Sequence, residues 1–180
     1  MDVAGLALQF LVMRCQAGDE RAFESLLSQF GERTHRYLSG LIGDAADDVQ
    51  QEVWLTVYRR LRELANPAAF RTWLFRVTRH RALDHLRRER RHDAFLADVA
   101  AASPAVVAPD EDETISLSGT DAAAAMAALS PAHREVLVLR YQDDLSYTEI
   151  AVVVGCSVGT VRSRLHHAKA RLAELLRPTT

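Results

Sequence analysis

Between Ala22 and Leu41 the apolar residues Phe23, Leu26, Leu27, Phe30, Tyr37 and Leu38 recur at three- and four-residue steps. That spacing puts them on one face of a helix. From Asp44 to Leu64 the pattern continues with Val49, Val53, Trp54, Val57, Tyr58 and Leu61, a second amphipathic helix. Asn66-Pro67 interrupts it, because the residue before a proline is pushed out of the helical region. The pattern resumes from Phe70 to about Arg91, with Phe70, Trp73, Leu74 and Val77 on one side. No stretch alternates as a half-buried strand does, so the chain reads as all-α.

Helix punctuation is clearest near the C-terminus. Ser130-Pro131 pairs an N-cap with proline at the first helical position. Ser146-Tyr147-Thr148-Glu149 is a capping box. Gly155 supplies a residue that tolerates positive φ, and Ser157 can cap the next helix. Ala151 is small where two helices cross, and Ile150, Val154 and Cys156 fill the space between them. Val161, Leu165, Ala168, Leu172 and Leu176 then form an inward seam. Thr160, Arg162, Ser163, His166, His167 and Lys169 face outward, with almost no acid before Glu174. Ser146–Leu176 therefore reads as a helix-turn-helix whose second helix can enter a major groove or touch phosphates. An ordinary helical hairpin would lack the agreement of capping box, glycine and seam.

Ala94–Thr120 breaks with both flanks: small residues, two prolines, an acidic run and no periodicity. It reads as a flexible acidic linker. The expected organisation is two small helical domains, 1–92 and 122–180, joined by residues 93–121. In 180 residues the net charge is only −2, but the charges are segregated. Residues 71–92 hold eight arginines against Asp84 and Glu89, and residues 93–121 hold seven acids and no base. Arginine suits planar recognition of phosphates and bases, although a GC-rich genome also enriches it. Cys15 and Cys156 fit no metal spacing and no disulfide framework. No signal peptide or membrane span is legible, so a cytoplasmic protein without direct membrane insertion is expected.

Two helices carry further chemistry. In the third, Arg76, Arg79, Arg87 and Arg90 fall within an arc of about 80° that can follow a phosphate backbone. Trp73 and Phe75 beside these arginines suit base stacking, but both rings also suit a core. Arg81 and Arg88 lie on the apolar side of the wheel, which calls for a change of partner along the helix. In the second, Asp47, Asp48, Gln51 and Glu52 share a surface. Like charges four apart repel, which a basic partner would relieve. The helix dipole alone explains Asp47 and Asp48 but not Glu52.

In order, these are an acidic helix, an Asn-Pro loop, an aromatic-basic helix, an acidic linker and a helix-turn-helix. The stretches DAADDVQQEVWLTVYRR, AFRTWLFRVTRHRALDHLRRERR and LSPAHREVLVLRYQDDLSYTEIAVVVGCSVGTVRSRLHHAKARL resemble the extracytoplasmic-function sigma factors of the sigma-70 family. The resemblance covers about residues 10–92 and 122–176. It implies a region 2-like domain that binds core RNA polymerase through Asp47, Asp48, Gln51 and Glu52. It implies that Asn66, Phe70, Arg71, Trp73, Arg76 and Arg79 read and open the −10 promoter element. Ser157, Thr160, Arg162, Ser163, Arg164, His166 and His167 of a region 4-like domain would read the −35 element. Promoter DNA, core polymerase and an anti-sigma protein are the implied partners; no cofactor, metal or catalytic residue is implied. His167 and Lys169 stand where relatives commonly have arginine, and Gln50-Gln51 departs from the commoner Leu/Val-Gln pair.

Two other readings weigh less. A stand-alone helix-turn-helix regulator leaves the acidic and arginine-rich helices unexplained. A metal-dependent nuclease could use Asp44, Asp47, Asp48 and Glu52, but no phosphate-binding loop or His/Cys constellation accompanies them.

Overall fold

A computed structural model describes residues 3–100 and 122–176. These residues form α-helices and short 3-10 turns, with no strand among them. The N-terminal helices are α1 (Val3–Gln16), α2 (Glu20–Ile42), α3 (Ala46–Arg60) and α4 (Phe70–Ala100). The C-terminal helices are α5 (Ala122–Ala127), α6 (Pro131–Tyr141), α7 (Tyr147–Val154) and α8 (Val158–Leu175).

The first core forms where α1, α2, α3 and α4 meet around Val12, Leu26, Phe30, Val53, Phe70 and Leu74. Asp19 caps α2 by accepting from the Ala22 amide and also pairs with Arg14. Gln16 of α1 donates to the Leu61 and Leu64 carbonyls, so α1 closes the end of α3. Periodicity did not single out α1 because its apolar residues run all round it. Val12 and Cys15 are buried, while Leu6, Phe10 and Met13 remain exposed. Tyr58 departs from the expected seam: it lies 59% exposed, stacked edge-on against Phe23.

The second core joins α6, α7 and α8 around Leu139, Leu145, Ile150, Val161, Leu165 and Ala168. Its punctuation matches the sequence. Ser130 and Ser157 cap α6 and α8, and both halves of the Ser146–Glu149 capping box are made. Gly155 is left-handed at φ 73°. Leu176 falls outside the seam, exposed at the end of α8.

Two findings change the expected organisation. Helix α4 continues to Ala100, so residues 94–100 are helical where a flexible linker was expected. The remainder of that linker, 101–121, lies outside the described residues. Secondly, Tyr37 of α2 and Phe75 of α4 are buried in the C-terminal core. Helix α7 packs across α4, and α6 packs on α2.

The turn offers a test with two signs. A methyl group at Gly155 meets no atom but is strained at positive φ, so Gly155→Ala should cost about 1 kcal/mol. Gly159 lies within helix α8 with room for a methyl, so Gly159→Ala should stabilise by about 0.5 kcal/mol. Urea unfolding of the two variants measures both.

Candidate nucleic-acid and protein interfaces

Helix α3 is held with one face outward. Gln50 donates to the Gly31 carbonyl at 2.8 Å, which fixes α3 against α2 and turns Gln51 to solvent. Asp47, Asp48 and Gln51 are exposed. Glu52 is half-buried and shared with Arg88 of α4 at 3.3 Å, and Asp47 meets His35 at 2.9 Å. Further along the same helix Leu55 and Tyr58 are 55% and 59% exposed. Steps of three and four residues link them to Asp48 and Gln51. Sequence reasoning missed this apolar continuation: it placed Tyr58 in the seam and left Leu55 unassigned.

The structure divides the residues expected to meet the −10 element. Asn66 is exposed, and its side chain accepts from the Ala68 amide, shaping the turn into α4. Phe70 is fully buried against Phe30, so its ring anchors α4 and presents no surface. Trp73 is half-buried and packs against the first core. With Arg60, Arg76, His80 and Arg81 it also borders an open cleft of about 370 Å³ between α3 and α4. Arg81 donates to Thr56 and Arg88 reaches Glu52, so the arginines on the apolar side of the wheel pack over α3.

Arg79 departs from the expected phosphate-facing arc. Its guanidinium donates to Glu135 of α6 at 2.8 Å. Glu135 is 7% exposed and also accepts from the Tyr37 hydroxyl at 2.6 Å. Burial and the adjoining Glu135 carboxylate raise the Tyr37 pKa well above its ordinary value, so Tyr37 is the donor. Thr72 donates to Glu149 of α7 at 3.1 Å. Partial burial pushes Glu149 up, but hydrogen bonds from Ser146 and Thr72 outweigh it and hold the carboxyl low. Arg33 of α2 donates to the Gln142 carbonyl and lies 3.7 Å from Asp143.

On α8, Arg162, Ser163, His166 and His167 are exposed, while Arg164 and Thr160 are half-buried. The Ser157 hydroxyl is committed to the Thr160 amide and hydroxyl. The outward face of α8 therefore centres on Arg162, Ser163, His166 and His167. His166 and His167 meet edge-on, with His133 of α6 beside them. Lys169 lies over the Tyr141 ring. Among the described residues no His, Cys, Asp and Glu group is arranged to hold a metal. None of their helices is long and apolar enough to cross a membrane.

Comparison with known proteins gives this arrangement a family. Residues 26–92 match the model for sigma-70 region 2, and residues 121–172 match that for sigma-70 region 4. The RNA polymerase sigma-H factor of Pseudomonas aeruginosa is 32% identical, over 94% of either chain. The extracytoplasmic-function (ECF) RNA polymerase sigma-E factor of Escherichia coli K12 is also 32% identical, with 94% of each covered. A solved structure of the sigma factor RpoE with the anti-sigma factor NepR, from Bartonella quintana, aligns with a TM-score of 0.66 at 26% identity. It covers 86% of this chain and 96% of that one. The fold is that of a sigma-70 family protein. Within that family the chain belongs to the extracytoplasmic-function sigma factors.

Asp143 gives the contact between the two cores a pH dependence. Burial raises its pKa from 3.8 to about 6, against the attraction of Arg33, Arg36 and Arg71, while Asp144 adds to the rise. The folded carboxyl therefore holds its proton where the unfolded one has lost it. The contribution of Asp143 to stability is therefore greatest below pH 3.8 and falls as pH rises to about 6. The native cost of ionisation is about 3 kcal/mol. Asp143→Asn should raise stability at pH 7 by up to about 3 kcal/mol and flatten this part of the pH profile. Denaturant melts at pH 5, 6 and 7 measure it; an unchanged slope would reject the assignment to Asp143.

Proposed function

We propose that this chain is an alternative sigma factor that brings core RNA polymerase to a promoter, contacting core through α3 and promoter DNA through α4 and α8. The observation that carries this reading is the pairing of two surfaces in one chain. An acidic stripe with an apolar continuation lies on α3, and a cationic reading face with no acid lies on α8. The first suits a basic protein partner, the second DNA.

In this reading Asp48, Gln51 and Glu52, with Leu55 and Tyr58, grip polymerase, and Asp47 adds charge at the rim. Glu52 exchanges Arg88 for a cation of the partner. Asn66, Trp73 and Arg76 meet the −10 element on the open side of α4. Arg71 and Arg79 join them when the C-terminal domain moves away. Arg162, Ser163, His166 and His167 read the −35 element, supported by Arg164 and Thr160, with Ser157 setting the helix start. An anti-sigma protein masks these surfaces, as the RpoE–NepR complex suggests for this chain by its likeness. The work takes place in the cytoplasm, with polymerase and promoter DNA.

Adding the protein to purified core polymerase should give run-off transcripts from a specific set of genomic promoters. Asp48→Lys with Glu52→Lys should weaken core binding at least tenfold with an unchanged helical spectrum; unaltered affinity would reject the α3 assignment. Arg162→Ala with Ser163→Ala should reduce discrimination at −35 by about 1–3 kcal/mol per lost base contact. A uniform loss over all sequences would make these residues phosphate contacts instead.

A further inference from the structure

We propose that His133, His166 and His167 form one phosphate-binding edge of the C-terminal domain, and that DNA binding at this edge takes up protons. The inference rests on the reading of α8 as the −35 helix.

The three imidazoles come together from two helices. Ser130 caps α6 and accepts from the His133 amide, which fixes His133 in the first turn. Helix α6 packs along α8, and the His133 ring meets His167 edge-on with centroids 6.4 Å apart. The His166 ring lies 5.6 Å from His167. His166 and His167 are exposed, and His133 is half-buried. Histidines of the N-terminal domain are placed differently. His35, His80 and His85 face the carboxylates of Asp47, Asp84 and Glu89 at 2.9, 3.2 and 3.2 Å. Among the described residues no carboxylate pairs with any of the C-terminal three.

Their neighbours explain why. Along α8 they stand among Arg162, Arg164, Lys169 and Arg171, and the one acid of that helix, Glu174, is 3.2 Å from Arg171. On α6, Arg134 is spent on the Met126 and Leu129 carbonyls, and Glu135 on Tyr37 and Arg79. Helix α5, which packs on α8, has no ionisable side chain. The one acid of α7, Glu149, is held by Ser146 and Thr72. On α2, which packs against α6, Arg33 faces Asp143, Arg36 faces Glu32 and Tyr37 faces Glu135.

The edge thus carries cations and imidazoles and no free acid. A DNA phosphate supplies the missing anion. Imidazole changes charge between pH 5 and 8, and a phosphate oxygen within hydrogen-bond reach favours its charged form. The positive end of α6, at His133, favours the same anion. An arginine edge would bind alike at every pH; this one loses affinity as protons are withdrawn. Because phosphates carry no sequence, the effect is uniform over sequences, unlike the discrimination assigned to Arg162 and Ser163.

Titrating the full chain onto a labelled duplex of mixed sequence, at low ionic strength and at pH 6, 7 and 8, tests this. Each linked proton changes affinity by up to about tenfold per pH unit, so wild-type affinity should fall about tenfold or more from pH 6 to 8. The plot of log affinity against log salt should be steeper at pH 6, by about 0.9 for each imidazole that carries its proton to a phosphate. His133→Gln should remove about 0.9 of that difference. The triple variant His133→Gln, His166→Gln, His167→Gln should bind at pH 6 no better than at pH 8. His167→Arg, charged at every pH, should bind more tightly than wild type at pH 8. A wild type indifferent to pH, or a triple variant that keeps the wild-type dependence, would overturn the proposal and leave α8 as a DNA-binding helix. No binding at any pH would overturn both.

Discussion

The Glu135 carboxylate is the point on which three helices depend. It sits on α6, receives a hydroxyl from α2 and a guanidinium from α4, and is nearly cut off from water. A carboxylate in that position is tolerable only when its oxygens are hydrogen-bonded and its charge is answered. Tyr37 and Arg79 both reach its Oε1, and the Arg79 guanidinium answers the charge, so one oxygen ties α2, α4 and α6 together. Removing either donor leaves a buried charge short of partners, which costs more than the bond itself. The apolar rings of Tyr37 and Phe75 add area but little direction; the carboxylate supplies the direction.

Asp143 works against the same contact. It is 1% exposed, its one salt-bridge partner is 3.7 Å away, and Oδ1 has no hydrogen bond. One acid of the interface thus has two close donors, while Oδ1 of the other has none. Opening returns Asp143 to water and relieves its ionisation cost, while it exposes two aromatic rings and frees Glu135. These terms act in opposite directions on the one contact.

Local features were legible in the sequence where local rules decide them. Ser130, the Ser146–Glu149 box, Gly155 and Ser157 stand where capping and positive φ require them, and the seam through Val161, Leu165 and Ala168 follows the helical period. Features set by distant partners were not legible. Tyr37 and Phe75 fit any apolar stripe, and only the tertiary structure assigns them to the second core. Arg79 shares an arc with Arg76, yet Arg76 is exposed and Arg79 is spent on an acid 56 residues away. Phe70 stood on the apolar side of its helix by periodicity and among the −10 residues by resemblance; the structure keeps the first reading, since its ring closes the first core. Helix α1 offered no period to read, and α4 ran on past the compositional boundary at residue 93. In each case the sequence specifies the residue type and the packing decides its direction.

Charge placement ties these observations to function. Each reading surface is small: a few side chains on α8 and an open cleft beside Trp73. Neither alone commands the number of phosphate contacts that gives tight binding at physiological salt. Joined by a linker they gain through effective concentration, but only when the geometry lets both engage at once.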